Sequence, residues 1–333
     1  MDTKDLYEFI DSKIQTFYGP ISQYDENAKI YKKGTRYRSW EYCYKFFREN
    51  LPEYDELSEE EKKEFIDLAS LHLGFYLASW GMYRGSAFLL KNDYKIHESA
   101  VRKIIEYYQA YPLLLEFDPT QSTGDETSLL LDVLFGTDED IANLKKDKKY
   151  GNVKANKSWK GLIGELEDIY EDGEYEDNES NEDNASDTLV TKVLMGTLAC
   201  IPAYDRFLKL GIAFYKNNNA EKFNKITQTL SKESYKNLLS FVSENKENFE
   251  NASVNLSIDE TLPYPTMKLV DMFLWQTGFE EDMYNASLKS DTTAKKIEEF
   301  IKYFKKIGDY KTLDKRQQAI LYSIENPEET QEK

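Results

Sequence analysis

An aspartate that follows a proline at the start of an amphipathic segment is the first candidate for chemistry. In the stretch IPAYDRFLKLGI, Pro202 precedes Asp205, and an apolar helical segment ends just before them. A carboxylate in the first turn of a helix gains about 0.3 to 1 kcal/mol from the helix dipole. The same carboxylate is also suited to an active site. The sequence leaves both roles open, a helix cap and a catalytic acid.

Two other segments carry side chains that suit anion binding. LHLGFYLASWGMYRGSAFLL holds three glycines in an apolar helical pattern, which indicates either close helix packing or a helix break near Trp80, with Arg84 at the junction. Arg84 would there bind a phosphate or carboxylate, or form an internal ion pair. YKKGTRYRSWEYCYKFFRE interleaves aromatic rings with cations, as nucleic-acid-binding surfaces do, beginning with Lys32, Lys33, Arg36 and Arg38. The alternative for this stretch is an amphipathic helix from Ser39 with its aromatics in the core.

The histidines and cysteines do not have the spacing of a metal site. The chain has two of each, His72, His97, Cys43 and Cys200, and no pair has zinc-ligand spacing. We expect reduced thiols, and neither metal nor cofactor. We predict that His72 lies in the core and that His97 lies at the surface or caps a helix. No phosphate-binding glycine loop, nucleophile elbow or kinase signature is present.

The region around Asp205 resembles the helix-hairpin-helix DNA glycosylase superfamily, above all its divergent, uncharacterised relatives. These carry a Ser/Thr-Lys-hydrophobic run followed by Pro-x-x-Asp, and Thr191, Lys192, Pro202 and Asp205 match that pattern. The stretch YPTMKLVDMFLWQTG, residues 264–278, is similar to the closing helix of such relatives. LMGTLAC stands in place of the superfamily's Gly-rich hairpin, and no lysine stands at the spacing of its Schiff-base nucleophile.

The resemblance implies roles for the residues around this motif. Asp205 would stabilise the cationic charge that develops on a sugar. Arg84 and Lys192 would hold phosphate, and an aromatic ring would stack the base; the candidates are Trp80, Tyr204 and Trp275. The segment ASWGMYRGSAFLL also resembles uncharacterised bacterial and phage-borne proteins. That likeness implies a setting of conflict with phage or mobile elements.

Helical periodicity dominates the elements that must position these residues. LSEEEKKEFIDLASLHLGFYLASW predicts a helix over 59–80, opened by a capping box of Ser58 and Glu61, with Leu68 and Phe75 widening its core-facing stripe. Further helices are predicted at 98–111, 127–135, 158–169, 188–199, 203–216, 219–229, 232–247, 265–277, 291–306 and 312–325, with stops at Gly136 and Gly278. Weak alternation near 250–262 predicts a minor hairpin. The predicted fold class is all-α.

One acidic segment divides the predicted fold. The net charge is −18, and twelve acidic residues lie between Glu165 and Asp187 without a Lys or Arg among them. Such a stretch has little to bury and repels itself, so we expect it to be disordered. The prediction is a multi-helix protein of two helical lobes that share a core, residues 1–164 and 188–328, with an acidic flexible loop at 165–187. The acidity disfavours tight nonspecific binding to DNA.

Two classes of function remain. No apolar run approaches the length of about 18 residues that a transmembrane helix needs, and MDTKDLYEFIDSK does not resemble a signal peptide, so we expect a soluble cytoplasmic protein. The favoured function is a non-catalytic helical interaction protein with a protein partner. The alternative is a glycosylase-like enzyme or binder of nucleic acid that uses Asp205. Convergence of Asp205, Arg84, Trp80 and Lys192 on one concave site would favour the alternative.

Overall fold

Helices make up almost all of the regular structure. A computed structural model describes residues 3–18, 24–25, 30–31, 38–84, 88–137, 161–171, 186–218, 223–253, 256–258, 262–289, 292–308 and 313–327. The chain is all-α, as predicted, with two-residue strands at Tyr24–Asp25 and Ile30–Tyr31 that pair antiparallel. Most of the predicted acidic loop, residues 172–185, lies outside the described residues, but its first part, residues 165–171, is helical and contains the buried Leu166 and Tyr170, so the prediction is wrong there.

Fourteen α-helices lie within the described ranges. In chain order they are α1 Thr3–Tyr18, α2 Arg38–Asn50, α3 Glu59–Ser79, α4 Glu98–Ala110, α5 Leu113–Glu116, α6 Gly124–Phe135, α7 Leu162–Glu171, α8 Asp187–Thr197, α9 Arg206–Asn217, α10 Lys232–Glu244, α11 Lys246–Ser253, α12 Thr266–Ser287, α13 Ala294–Gly308 and α14 Lys315–Glu325. Short 3₁₀ helices occupy Tyr54–Glu56, Phe88–Lys91 and Tyr94–His97.

Local signals determine several helix ends. The capping box at the start of α3 is present as predicted, because the Ser58 hydroxyl accepts from Glu61 N and the Glu61 carboxylate accepts from Ser58 N. Gly136 follows the last residue of α6 with φ 86°, a conformation that favours glycine, so that predicted stop is confirmed.

Two predicted elements differ from the structure. No α-helix covers the described part of 219–229. Phe223, Ile226 and Leu230 lie in turns and irregular chain and are buried, and their three- and four-residue spacing resembles that of a helix. Of the minor hairpin predicted near 250–262, the described residues contain one antiparallel bridge, between Ser257 and Pro263, while residues up to Ser253 belong to α11.

Gly278 was predicted to end a helix, and this prediction is wrong because α12 continues to Ser287. The reason for a glycine here is the close approach of α9. A Cβ atom at Gly278 would overlap the carbonyl oxygen of Phe207 and lie 2.7 Å from Gly211 N. On the facing helix, a Cβ atom at Gly211 would in turn overlap the carbonyl oxygen of Leu274. The two helices therefore touch backbone to backbone.

One large hydrophobic cluster runs from Ile10 of α1 to Trp275 of α12 and includes residues of both predicted lobes. A smaller cluster joins α13 and α14 to the end of α12; its buried residues are Met283, Phe304, Ile307, Ile320 and Ile324. The predicted sharing of one core agrees with the large cluster, while the division into lobes at 164 and 188 stays a prediction.

A buried charge network ties α1 to the C-terminal helices. Lys13 pairs with Glu280 of α12 and, at 3.0 Å, with Asp314, which caps α14. Burial opposes the charge on Lys13, but the two carboxylates outweigh it and raise the pKa of the ammonium. Since these helices lie far apart in sequence, the network fixes a long-range contact.

α3 has apolar residues on both of its faces. Phe65, Ala69, Leu73, Tyr76 and Leu77 are buried, whereas Leu68, Leu71 and Phe75 are exposed. The prediction that Leu68 and Phe75 widen the core stripe is therefore wrong. Apolar periodicity does not indicate which face of a helix its neighbours cover.

His97 is fully buried, which corrects its predicted place at the surface. Its Nε2 lies 2.7 Å from the Tyr83 hydroxyl, and its Nδ1 lies 2.8 Å from the Tyr170 hydroxyl of α7. Burial lowers the pKa of His97 to about 4. The imidazole is therefore neutral at neutral pH and joins the segment that follows α3 to α7. His72 is half-buried and stacks on Phe46.

Candidate functional site

The structure brings several predicted site residues together near the C-terminal end of α3. Lys192 of α8 and Lys268 of α12 are 4% and 3% exposed. Lys192 Nζ lies 3.0 Å from Asp205 Oδ2, and Lys268 Nζ lies 2.7 Å from Asp271 Oδ2. We name these two ion pairs, together with the rings around them, the tryptophan–lysine cluster; the rings are Phe17, Trp40, Trp80 and Trp275.

Asp205 is both a helix cap and an ion-pair partner. Its Oδ1 accepts hydrogen bonds from the backbone N–H groups of Phe207 at 3.0 Å and Leu208 at 3.1 Å, which satisfies two free donors at the start of α9. Its Oδ2 accepts from Lys192. The cap role that the sequence left open is present, and both carboxylate oxygens are engaged.

The turn between α8 and α9 is fixed by side chains from α8 and α12. Asp271 accepts from Ala203 N at 3.0 Å, and Thr191 accepts from Tyr204 N at 2.9 Å. Ala199 has φ 48°, a left-handed conformation that is unfavourable for a residue with a Cβ atom. The turn that presents Asp205 is therefore rigid and locally strained.

Aromatic rings surround both ammonium groups. Lys192 Nζ lies 5.1 Å from the centroid of the Trp80 ring. Lys268 Nζ lies 4.9 Å from the Trp40 centroid and 5.4 Å from those of Phe17 and Trp80. At these distances a desolvated cation is attracted to the ring by about 2 kcal/mol. The rings therefore help to hold charges that the core would otherwise exclude.

The cluster reaches the surface beside Trp80, which is half-buried. Arg84 follows it and is exposed; its guanidinium lies next to Gly81, and no described residue forms an ion pair with it. The buried junction predicted for Arg84 is therefore wrong. Ser79 donates to Ser39, so the start of α2 lies at the same end of α3. Arg38 begins α2, with its side chain outside the described residues, as are Lys32, Lys33 and Arg36.

The other two predicted aromatics are not accessible to a ligand. Tyr204 is fully buried beside Ser234 of α10, and burial raises the pKa of its hydroxyl. Trp275 packs within the cluster, edge-on to Phe17 at 5.4 Å and to Trp80 at 6.2 Å, and stacks on Phe279. Neither ring can stack a base in this structure, because neither has an exposed face.

Sequence reasoning missed half of the cluster. Lys268 and Asp271 stand three residues apart in an otherwise apolar helix, a spacing that predicts an ion pair on one helical face. That signal was available in the stretch MKLVDMFLW. Phe17 and Trp40 carry no comparable signal, because only the tertiary fold brings α1 and α2 to this place.

The charged groups of the cluster pair with one another, and their charges cancel. Two ammonium groups meet two carboxylates, and each carboxylate also accepts from backbone N–H groups, Asp205 from two and Asp271 from one. With no net charge, the cluster offers little attraction to a phosphate. Removing one partner would leave a buried charge, so the set is suited to fixing α8, α9 and α12 together.

A cavity of about 520 Å³ lies elsewhere, between α4 and α6. Its walls include Glu106, Tyr107, Tyr111, Leu129 and Asp132, and none of the predicted site residues lines it. Its two carboxylates are paired with Lys103 and Lys232.

The cysteines are buried and free. Burial raises the pKa of the Cys43 thiol and raises that of Cys200 to about 12, so neither is poised as a thiolate nucleophile. Among the described residues, no group of three or more His, Cys, Asp or Glu could hold a metal ion. The described helices include none that is long and apolar enough to cross a membrane.

Comparisons with protein-family models, with curated proteins and with solved structures find no match to this chain.

Proposed function

We propose that this protein is a non-catalytic interaction protein that binds a protein partner through the exposed side of α3. We name this surface the α3 face; it consists of Leu68, Leu71 and Phe75, with Tyr42 of α2 beside them. The exposure of these apolar side chains on one helix face is the observation that carries the proposal.

The exposed side chains form a stripe rather than isolated positions. Leu68, Leu71 and Phe75 follow at three- and four-residue steps and are 40%, 46% and 60% exposed. Single exposed leucines are normal on protein surfaces, but a contiguous apolar stripe marks an interaction site.

α3 and α12 are both apolar on opposite sides, but they differ in how they are covered. A helix that is apolar on all sides is ordinarily buried on all sides. α12 follows that rule, with buried residues around its whole circumference from Met267 to Gly278. α3 is also apolar on opposite sides, yet one side faces solvent. A partner would cover that side.

Tyr42 extends the stripe onto α2. The two helices meet at Ser39 with Ser79 and at Phe46 with His72. Tyr42 lies between the two contact residues on α2, and Phe75 lies between the two on α3. The two exposed rings are therefore level with each other across the seam between the helices.

Capture of partners from cells tests this function. We compare wild type with Leu71→Ser plus Phe75→Ser, and use Leu129→Ser plus Leu288→Ser as the control, since these leucines are exposed on other elements. A partner held by wild type and the control but lost from the α3 variant is the expected result. Equal capture by all three proteins would contradict the proposal. Melting curves confirm that the variants are folded.

A second candidate is a nucleic-acid enzyme or binder that uses Asp205, supported by the meeting of Asp205, Lys192 and Trp80 beside the exposed Arg84. Against it stand the charge balance of the cluster and the burial of Tyr204 and Trp275. The resemblance to phage-borne proteins, and the conflict setting it implies, are compatible with either candidate.

The second candidate has its own test. Duplexes containing uracil, 8-oxoguanine or an alkylated base are incubated with the protein, treated with hot alkali and run on a gel. We expect no strand breaks. Breaks that disappear with Asp205→Asn would replace our proposal with the enzyme. Binding of labelled single-stranded DNA that Arg84→Glu abolishes, and the matched change Arg102→Glu on α4 does not, would establish a binder.

A further inference from the structure

The α3 face has an acidic end, which points to the chemistry of its partner. Glu64 stands one turn before Leu68 on the same side of the helix, and Glu60 stands one turn before Glu64. Both carboxylates are exposed, and no described residue forms an ion pair with either. The surface thus runs along one helix face from two free carboxylates to an apolar stripe.

The acidic residues of this end outnumber its cations, since four glutamates, at 59, 60, 61 and 64, stand with Lys62 and Lys63. Lys63 is exposed between Glu60 and Glu64 and offsets part of their charge. Lys62 is paired with Glu59 and lies over the Tyr54 ring, on a different side of α3. The Glu61 carboxylate is held by its capping box at Ser58. Glu60 and Glu64 are therefore available to a partner.

We infer that the partner of the α3 face is an amphipathic helix of another protein whose apolar side ends in Lys or Arg. A helix binds a surface of this kind by placing side chains at three- and four-residue steps against it. Its basic end would lie over Glu60 and Glu64 while its apolar residues cover Leu68, Leu71 and Phe75. This inference rests on the proposed interaction function and adds the shape and charge of the partner.

A second copy of the chain fits this surface less well. The net charge of −18 makes copies repel each other. A partner of opposite charge gains from the same field, which speeds its association. The acidic surroundings and the acidic end of the stripe therefore favour a basic partner.

The probe is a labelled amphipathic peptide of leucine and lysine, with a leucine and glutamate peptide of the same pattern as its counterpart. Binding to the full-length protein is followed by fluorescence anisotropy at physiological salt. Three variants are compared: Leu71→Ser plus Phe75→Ser, Glu60→Lys plus Glu64→Lys, and Glu298→Lys plus Glu299→Lys. The last is the matched control, because it makes the same change of net charge on exposed positions of α13.

We expect the lysine peptide to bind wild type and to lose at least about tenfold in affinity with either α3 variant. The α13 control should lose less than about twofold, and the glutamate peptide should bind only the Glu60→Lys plus Glu64→Lys variant. The inference would be overturned if the two charge reversals weakened binding of the lysine peptide equally. It would also be overturned if Leu71→Ser plus Phe75→Ser left the affinity for that peptide unchanged.

Two further outcomes distinguish a failure of this inference from a failure of the proposed interaction function. If cells yield a partner that depends on Phe75 while the lysine peptide does not bind, the interaction function stands and the basic partner is wrong. If sedimentation shows a dimer that the Leu71→Ser plus Phe75→Ser variant loses, the occupant is a second copy and the inference is again wrong.

Discussion

Replacing Gly278 with alanine would force apart α9 and α12, which meet beside the tryptophan–lysine cluster. The new Cβ atom would overlap the carbonyl oxygen of Phe207 and lie 2.7 Å from Gly211 N, where a comfortable contact needs about 3.5 Å. Both obstacles are backbone atoms, so no side chain can rotate away. α9 and α12 must therefore separate by on the order of 1 Å.

The cost follows from two opposing effects. Overpacking a core costs typically about 1–3 kcal/mol, and the upper end applies where backbone must move. Alanine restores about 1 kcal/mol through its higher helix propensity. We expect the free energy of unfolding to fall by about 2 kcal/mol. Urea denaturation followed by circular dichroism measures this as a lower midpoint with an unchanged slope.

Gly308→Ala is the matched control. Gly308 ends α13, and a Cβ atom there would have no neighbour within 4 Å. Its midpoint should stay at the wild-type value or rise slightly. A Gly278→Ala midpoint equal to that of wild type would refute the backbone contact between α9 and α12.

Three further predictions concern buried charge, pH and backbone strain. Asp205→Asn keeps a side-chain oxygen for the cap but leaves Lys192 buried without its anion, so urea denaturation should show a free energy of unfolding lower by about 2–3 kcal/mol. The double variant Asp205→Asn plus Lys192→Met should recover part of that loss, and an undiminished loss in it would contradict the pairing. The pKa of His97 is lowered from 6.5 to about 4, so the unfolded chain takes up a proton between these pH values and the folded chain does not. The free energy of unfolding therefore falls by up to about 3 kcal/mol as the pH drops through that window. Urea midpoints of His97→Gln between about pH 7 and pH 4.5 should fall less steeply than those of wild type, and parallel slopes would exclude His97 as the cause. Ala199→Gly relieves the left-handed strain at φ 48° and should raise the free energy of unfolding by up to about 1 kcal/mol, seen as a higher melting temperature. Ala100→Gly inside α4 should lower the melting temperature, and a fall for both variants would show that Ala199 is not strained.

Signals that act within one or two turns of the chain were read correctly from the sequence. The capping box of Ser58 and Glu61 depends only on residues three apart. The stop at Gly136 likewise depends on the backbone of its own turn. Apolar periodicity also predicted most of the helices, because each helix buries one face whichever element covers it.

Features that depend on a distant partner could not be read in this way. Gly278 has the sequence context of a helix end, and only the position of α9 shows that it serves close packing. For the same reason, the exposure of Phe75 depends on which elements cover α3. Lys192 and Asp205 were found through one short motif, whereas Phe17 joins their cluster from α1, far away in the chain.

The contacts of α1 determine when it can fold during synthesis. Ile10, Ile14 and Phe17 are buried, and Lys13 is held by Glu280 and by Asp314, the latter 301 residues later in the chain. At about 5–20 residues per second, a ribosome needs about 15–60 s to make that length. α1 therefore leaves the ribosome long before its binding site exists, with its apolar side open to chaperones and proteases. On stalled ribosomes, we expect protease to cut within α1 of nascent chains that end before α12, and to spare α1 once α14 has emerged; equal cleavage at both lengths would show that α1 does not wait for its partners.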